Sequence, residues 1–130
     1  MFELPALITG IAIVLYLVLT FKVGQARGKY GIKAPATTGH DMFDRVYRVQ
    51  MNTLEQLVAF LPSLWLFAVF LNAPIIAAGL GVVWLVGRIL FARAYVADPA
   101  KRTAGFALTL FPTSILLLGG LVGAVMHLGA

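Results

Sequence analysis

The sequence predicts an all-α integral membrane protein, a four-transmembrane-helix bundle whose 130 residues make one membrane domain. Three observations predict it. Hydrophobic residues make up 61% of the chain and charged ones 12%, whereas soluble domains run nearer half apolar and a quarter charged. Four stretches reach the roughly 20 mostly apolar residues that a helix needs to cross the hydrocarbon core. The ten Lys and Arg residues gather at alternate boundaries between those stretches, as in a chain that threads back and forth.

Each element can be justified in turn. The opening MFELPALITG has no basic leading region and carries Glu3, so it reads as a retained helix and not as a cleavable signal. Leu4 to Phe21 is uncharged and forms helix one, reaching a little past Lys22. Gly28 to Gly39, with Gly31, Pro35 and Thr37-Thr38-Gly39, reads as a loop. Asp41 is the expected N-cap of helix two, which runs from Phe43 to about Leu71. At nearly 30 residues that helix would be roughly 43 Å long, so one end protrudes or tilts. Pro62 removes a backbone donor and is expected to kink it. Asn72-Ala73-Pro74 is a tight turn into helix three, Ile75 to Val96, which stops at Asp98-Pro99. Helix four runs from Thr103 to His127, with a second kink expected at Pro112 and close packing at Gly119, Gly120 and Gly123.

Every Lys and Arg falls at the end of helix one, in the first loop, at the start of helix two, at the end of helix three or in the last loop. By the positive-inside rule residues 22–45 and 97–103 face the cytoplasm and both termini face outward. The net charge of +5 is accounted for by these topology-setting cations and an anionic ligand, not by nucleic acid. Cysteine is absent, which excludes disulfides, thiolate metal sites and a cysteine nucleophile. His40 and His127 share no ligand spacing, so no protein metal site is expected.

Polar chemistry concentrates in DRVYRVQMNTLEQL, Asp44 to Leu57. On a helical wheel Arg45, Arg48, Asn52, Glu55 and Gln56 share an arc of roughly 100°, while Gln50 points elsewhere. Ionisable groups at membrane depth face a bundle interior or a wet cavity. Helix three adds Arg88, Phe91 and Tyr95 at i, i+3 and i+7, and Arg102 follows in the adjoining loop. Singly, each has a plain explanation. Arg48 and Glu55 can pair with each other, Tyr95 can anchor at the interface, and Arg102 can be a topology charge. Together they form a site with several arginines and one carboxylate. It suits a small ligand bearing two carboxylates and an amine, with Asn and Gln for its peptide groups. Glutathione has that pattern, as do other zwitterions. Gln50 and Arg27 lie at the same depth but off the main stripe, which is explained if they line a neighbouring subunit's site.

FDRVYRVQMNTLEQLVAFLPSLWLFAVF, carrying Arg48, Gln50, Asn52 and Glu55 in the spacing R-x-Q-x-N-x-x-E, resembles the signature helix of the membrane-associated proteins in eicosanoid and glutathione metabolism, the MAPEG family. The likeness extends through APATTG before it and WLVGRILFARAYVADPAKR after it, over about residues 20 to 110. It implies a homotrimer with sites between subunits. Counterparts of Arg48, Asn52, Glu55, Arg88 and Tyr95 bind glutathione from one subunit, and those of Arg27 and Gln50 come from its neighbour. The arginine matching Arg102 stabilises the glutathione thiolate, and is the expected catalytic residue. The implied activity is a glutathione-dependent transferase or peroxidase acting on lipophilic electrophiles or lipid hydroperoxides, in a bacterial inner membrane or its equivalent. Phe91 and Gln56 stand where the leukotriene-forming synthases have tyrosines, and Thr103 stands where the prostaglandin-E-forming member has a serine.

Two other functions compete. The family includes a non-catalytic lipid-binding scaffold, against which Arg102 and Tyr95 beside the polar site count. A small multidrug exporter has similar length but uses an acid within its first helix, and Leu4 to Phe21 contains none.

Overall fold

The computed structural model describes residues 1–129. Four α-helices run in chain order, α1 Glu3–Tyr30, α2 Asp41–Phe70, α3 Pro74–Ala97 and α4 Thr103–His127, with a 3-10 turn at Pro99–Lys101 before α4. All four are long and apolar enough to cross a membrane. Successive helices run antiparallel, so the loops 31–40 and 98–102 share one end, hereafter the basic end.

Two boundaries depart from expectation. Helix one does not stop near Lys22, and Gly28 remains helical. The helix ends at Gly31, whose left-handed φ of 69° lets its N–H bond back to Arg27 O. Packing overrides the glycine signal here, because Val23 and Ala26 of α1 are buried with Phe43 of α2. The N-cap of α2 is His40 and not Asp41, with His40 Nδ1 accepting from Met42 N at 3.1 Å. Asp41 is drawn off by Arg45, one turn on, at 3.0 Å. The helix is 30 residues, about 45 Å, and α2 and α4 continue through Pro62 and Pro112. Asn72 takes a positive φ of 50° in the turn to α3, a conformation that asparagine tolerates better than most side chains.

In lipid the hydrophobic effect does not drive helices together, so close van der Waals packing and hydrogen bonds must. Glycines supply the closeness. A Cβ on Gly105 would stand 2.4 Å from Phe91 N, and one on Gly87 would stand 2.8 Å from Leu108 C, so α3 and α4 touch backbone to backbone. At the other end Gly120 and Gly123 bring α4 against Phe67 and Phe70 of α2 in the same way. Gly119 meets only the Phe67 ring and a Leu71 methyl. The central core packs Ala12, Leu64, Ala77 and Leu116 around a Phe60–Trp84 stack with centroids 4.2 Å apart. Leu7, Val14, Val86, Phe111 and Val122 remain exposed, an apolar exterior suited to lipid.

Candidate functional site

The close crossing of α3 and α4 sets two walls of a cavity at the basic end. Its volume is about 580 Å³, and it is lined by Arg48 and Asn52 from α2, Phe91 and Tyr95 from α3, and Arg102 and Phe106 beside and within α4. Arg102 reaches that wall because only the 3-10 turn separates α3 from α4, and its Nη1 donates to Pro99 O at 3.1 Å. It also precedes a helix whose start has no side-chain cap. The free N–H groups of a first turn carry partial positive charge. Arg48 Nη2 pairs with Glu55 Oε1 at 3.1 Å, with both side chains about half exposed, so the pair is open to a ligand. Asn52 Oδ1 is buried and has no partner among the described residues. An unsatisfied buried acceptor of this kind costs free energy until a donor arrives.

Behind the cavity lies a column of stacked groups. The Arg88 guanidinium sits 4.4 Å from the Phe91 ring centre, and Phe91 stacks on Tyr95 at 5.5 Å. Arg88 is buried and donates to Thr53 Oγ1 at 2.8 Å and, more weakly, to Thr109 Oγ1 at 3.5 Å. Among the described residues it has no carboxylate partner. Arg48, Arg88 and Arg102 therefore face one local carboxylate, Glu55, and the surplus is positive. Among the described residues no three His, Cys, Asp or Glu side chains gather closely enough to hold a metal.

The sequence pattern of the MAPEG family matches residues 5–122, nearly the whole chain. The chain belongs to the MAPEG family. Its relatives include an uncharacterized protein of Synechocystis, 56% identical over 95% of this chain and 90% of the relative. Human microsomal glutathione S-transferase 2 is 38% identical over 78% of this chain and 69% of its own. Bovine leukotriene C4 synthase is 32% identical over 78% and 67%.

In this MAPEG chain the residues singled out from sequence do not all meet. Arg48, Asn52, Tyr95 and Arg102 line the cavity, and Glu55 joins it through Arg48. Arg88 shares the face of Phe91 and Tyr95 but lies behind the ring. Arg27 and Gln50 lie on the α1–α2 side. Arg27 donates to Ala36 O at 2.7 Å, and Gln50 Nε2 donates to Thr20 Oγ1 at 3.0 Å. Arg45, grouped with Arg48 by the wheel, turns away and donates to Val96 O and Ala97 O at 3.0 and 3.1 Å. The wheel treats α2 as isolated, and the end of α3 lying beside Arg45 captures it. Sequence reasoning missed Phe106, which stands one turn after Arg102 on the cavity wall. It also missed Thr53 and Thr109. Polar residues on apolar helices opposite an arginine were the available signal.

Proposed function

We propose that this protein is a glutathione-dependent transferase or peroxidase that activates the glutathione thiolate for attack on lipophilic electrophiles or lipid hydroperoxides. The observation that carries the reading is one cavity lined by Arg48, Asn52, Tyr95 and Arg102, with Glu55 paired to its rim. Relatives named as glutathione S-transferases and leukotriene C4 synthases support it. The residues fit the tripeptide: surplus guanidinium for two carboxylates, a carboxylate for the ammonium, and a free Asn52 acceptor for a peptide N–H.

In this reading Arg48 holds a carboxylate, Glu55 the ammonium and Asn52 a peptide group. Arg88 fixes the Phe91 ring and adds positive potential from behind it. Arg102, with the uncapped start of α4, stands by the thiol. A cation within about 4–6 Å lowers an acid's pKa by about 1–3 units, so the thiolate fraction rises at neutral pH. The thiolate then forms a sulfur–carbon bond to an electrophile and expels its leaving group. With a hydroperoxide the thiolate sulfur takes the distal oxygen as the O–O bond breaks, giving a glutathione sulfenic acid and a lipid alkoxide that is protonated to the alcohol. A second glutathione then reduces the sulfenic acid, forming the disulfide and releasing water. Phe91 and Phe106 give the cavity an apolar side for a lipid-borne substrate.

The same proposal includes the assembly and the orientation. Three copies place Arg27 and Gln50 of one subunit against the cavity of the next, which is supported by their position on the α1–α2 side at the same end. The basic end faces the cytoplasm of a bacterial inner membrane or its equivalent. The test is a glutathione titration of detergent-purified protein, read by ultraviolet difference absorbance for thiolate, with Arg102→Ala beside it. A thiolate signal in the wild type that disappears in the variant, with binding retained, is expected. The pH at which the variant's rate is half-maximal should rise by about 1–3 units. A wild type that binds no glutathione overturns the transferase reading, and full activity in the variant removes Arg102 from the mechanism.

A further inference from the structure

A second cavity of about 520 Å³ opens between α1, α2 and α3 at the basic end. Its floor is apolar, with Leu19, Val46, Val49 and Val96 among its lining, and its rim carries Lys22, Arg45 and Arg93. It is not part of the site described above. Leu19, Val49 and Phe91 pack together as a partition between the two, and on α2 the lining positions 42, 45, 46 and 49 face about 90° away from positions 48 and 52.

The rim cations are not equivalent. Arg45 is committed to Asp41 and to the carbonyls of Val96 and Ala97. Lys22 and Arg93 are exposed and have no carboxylate within ion-pair distance among the described residues. Their depth is informative. Lys22 stands 19 residues along α1 from Glu3, and Arg93 stands 19 residues along α3 from Pro74. At 1.5 Å per residue each lies about 29 Å from the far end of its helix. That distance matches the roughly 30 Å hydrocarbon core, so both cations stand at headgroup level. Leu19 lies about one turn deeper on α1 and Val49 one turn deeper than Arg45 on α2, while Val96 lies one turn nearer the basic end than Arg93. Lys and Arg stems at this depth naturally carry their charge to the interface.

We propose that this groove holds one anionic phospholipid, its phosphodiester between Lys22 and Arg93, its headgroup flanked by Val46 and Val96, and an acyl chain descending along Leu19 and Val49. Two unpaired cations over a slot open to hydrocarbon complement a phosphate joined to a chain. Basic pockets between transmembrane helices recognise anionic headgroups in this way. A zwitterionic lipid brings its own cation to the same rim and gains less. The bound chain would brace the partition formed by Leu19, Val49 and Phe91, the last of which also lines the glutathione-type cavity.

The test is native mass spectrometry of the full chain in neutral detergent, with equal amounts of phosphatidylglycerol and phosphatidylcholine of matched acyl chains. One retained lipid per chain is expected, with phosphatidylglycerol favoured about tenfold or more. The double variant Lys22→Gln/Arg93→Gln should bring that preference close to unity, whereas Lys22→Arg/Arg93→Lys should keep it. Ala92→Trp, which puts bulk into the slot and leaves Lys22 and Arg93 unchanged in the sequence, should lose the lipid altogether. Both cations are exposed, so the double charge variants test the idea even if the tryptophan variant fails to fold. Equal retention of the two lipids by the wild type, or an unchanged preference in the Gln double variant, would overturn the proposal. So would displacement of the lipid by inorganic phosphate, which would make the rim a free-anion site.

Discussion

Replacing Gly105 by alanine should cost both stability and rate, because that residue sets the distance between the two helices that carry Arg102 and Tyr95. The added Cβ would stand 2.4 Å from Phe91 N, 2.6 Å from Phe91 Cα and 2.9 Å from Gly87 O. Ordinary contact between carbon atoms is about 3.5–4.0 Å. All three neighbours are backbone atoms, so no side-chain rotation relieves the clash and α3 and α4 must part by about 1 Å. Overpacking of this kind costs about 1–3 kcal/mol. Arg102 lies three residues before Gly105, and a displacement near 1 Å at a reacting centre costs up to about a hundredfold in rate. The assay is the thermal unfolding midpoint in detergent together with the initial rate of glutathione conjugation to 1-chloro-2,4-dinitrobenzene. Gly79→Ala is the control: its Cβ would meet nothing within 4 Å, and exchanging Gly for Ala within a helix stabilises by about 0.5–1 kcal/mol. A Gly105→Ala protein with the midpoint and rate of the control would refute the reasoning, since the backbone contact would then not set the site.

Other substitutions separate support from chemistry. Thr53→Val takes from Arg88 its short hydrogen bond and leaves a buried cation donor unpaired. It should destabilise by about 1–3 kcal/mol in an unfolding titration, whereas Thr113→Val, whose hydroxyl bonds only its own helix at Thr109 O, should cost less. Glu55→Gln breaks a half-exposed pair worth about 0–1 kcal/mol. The unfolding midpoint should therefore hardly move while the KM for glutathione rises, and a large stability loss with unchanged KM would assign the pair to structure alone. Co-expressing Arg27→Ala and Arg102→Ala chains in equal amounts should recover about a quarter of wild-type activity if, as proposed, each site of a cyclic trimer takes Arg102 from its own subunit and Arg27 from the next. No recovery would place both arginines in the same subunit's site.

The fold was legible in the sequence because membrane helices declare themselves by length and hydropathy, and four do so here. Helix ends were less legible. Gly28 reads as a breaker, yet Val23 and Ala26 beside it are buried with Phe43, and the helix continues to Gly31, which turns left-handed. The polar stripe on α2 put Arg48, Asn52 and Glu55 on one face of a rigid helix, and in the structure Arg48 and Asn52 line the cavity while Glu55 pairs with Arg48. It could not show that the Arg88 side chain lies behind Phe91, because that depends on Thr53 and Thr109 arriving from two other helices. Nor could it show the second groove, whose lining is drawn from three helices and contains no motif in any one of them.

Arg45 shows how one charge pattern serves two purposes. The last carbonyls of a helix have no partners within it, and a cation near that end is favoured by the helix dipole. Arg45 supplies both from α2, donating to Val96 O and Ala97 O while Asp41 balances its charge. The chain then passes to Asp98, whose N–H bonds Ala94 O at 2.8 Å and whose carboxylate accepts from Ala100 N at 3.1 Å, starting the 3-10 turn. Lys101 N returns to Asp98 O at 2.9 Å, and Arg102 closes onto Pro99 O. Separate hydrogen bonds and the short backbone between them thus tie the first turns of α2 to the segment that carries Arg102. One turn further along α2, Arg48 has no such helix end beside it and is left with Glu55 at the open cavity. Two arginines three residues apart are therefore divided by their neighbours: Arg45 holds the end of α3 that leads to Arg102, and Arg48 is left with Glu55 at the cavity.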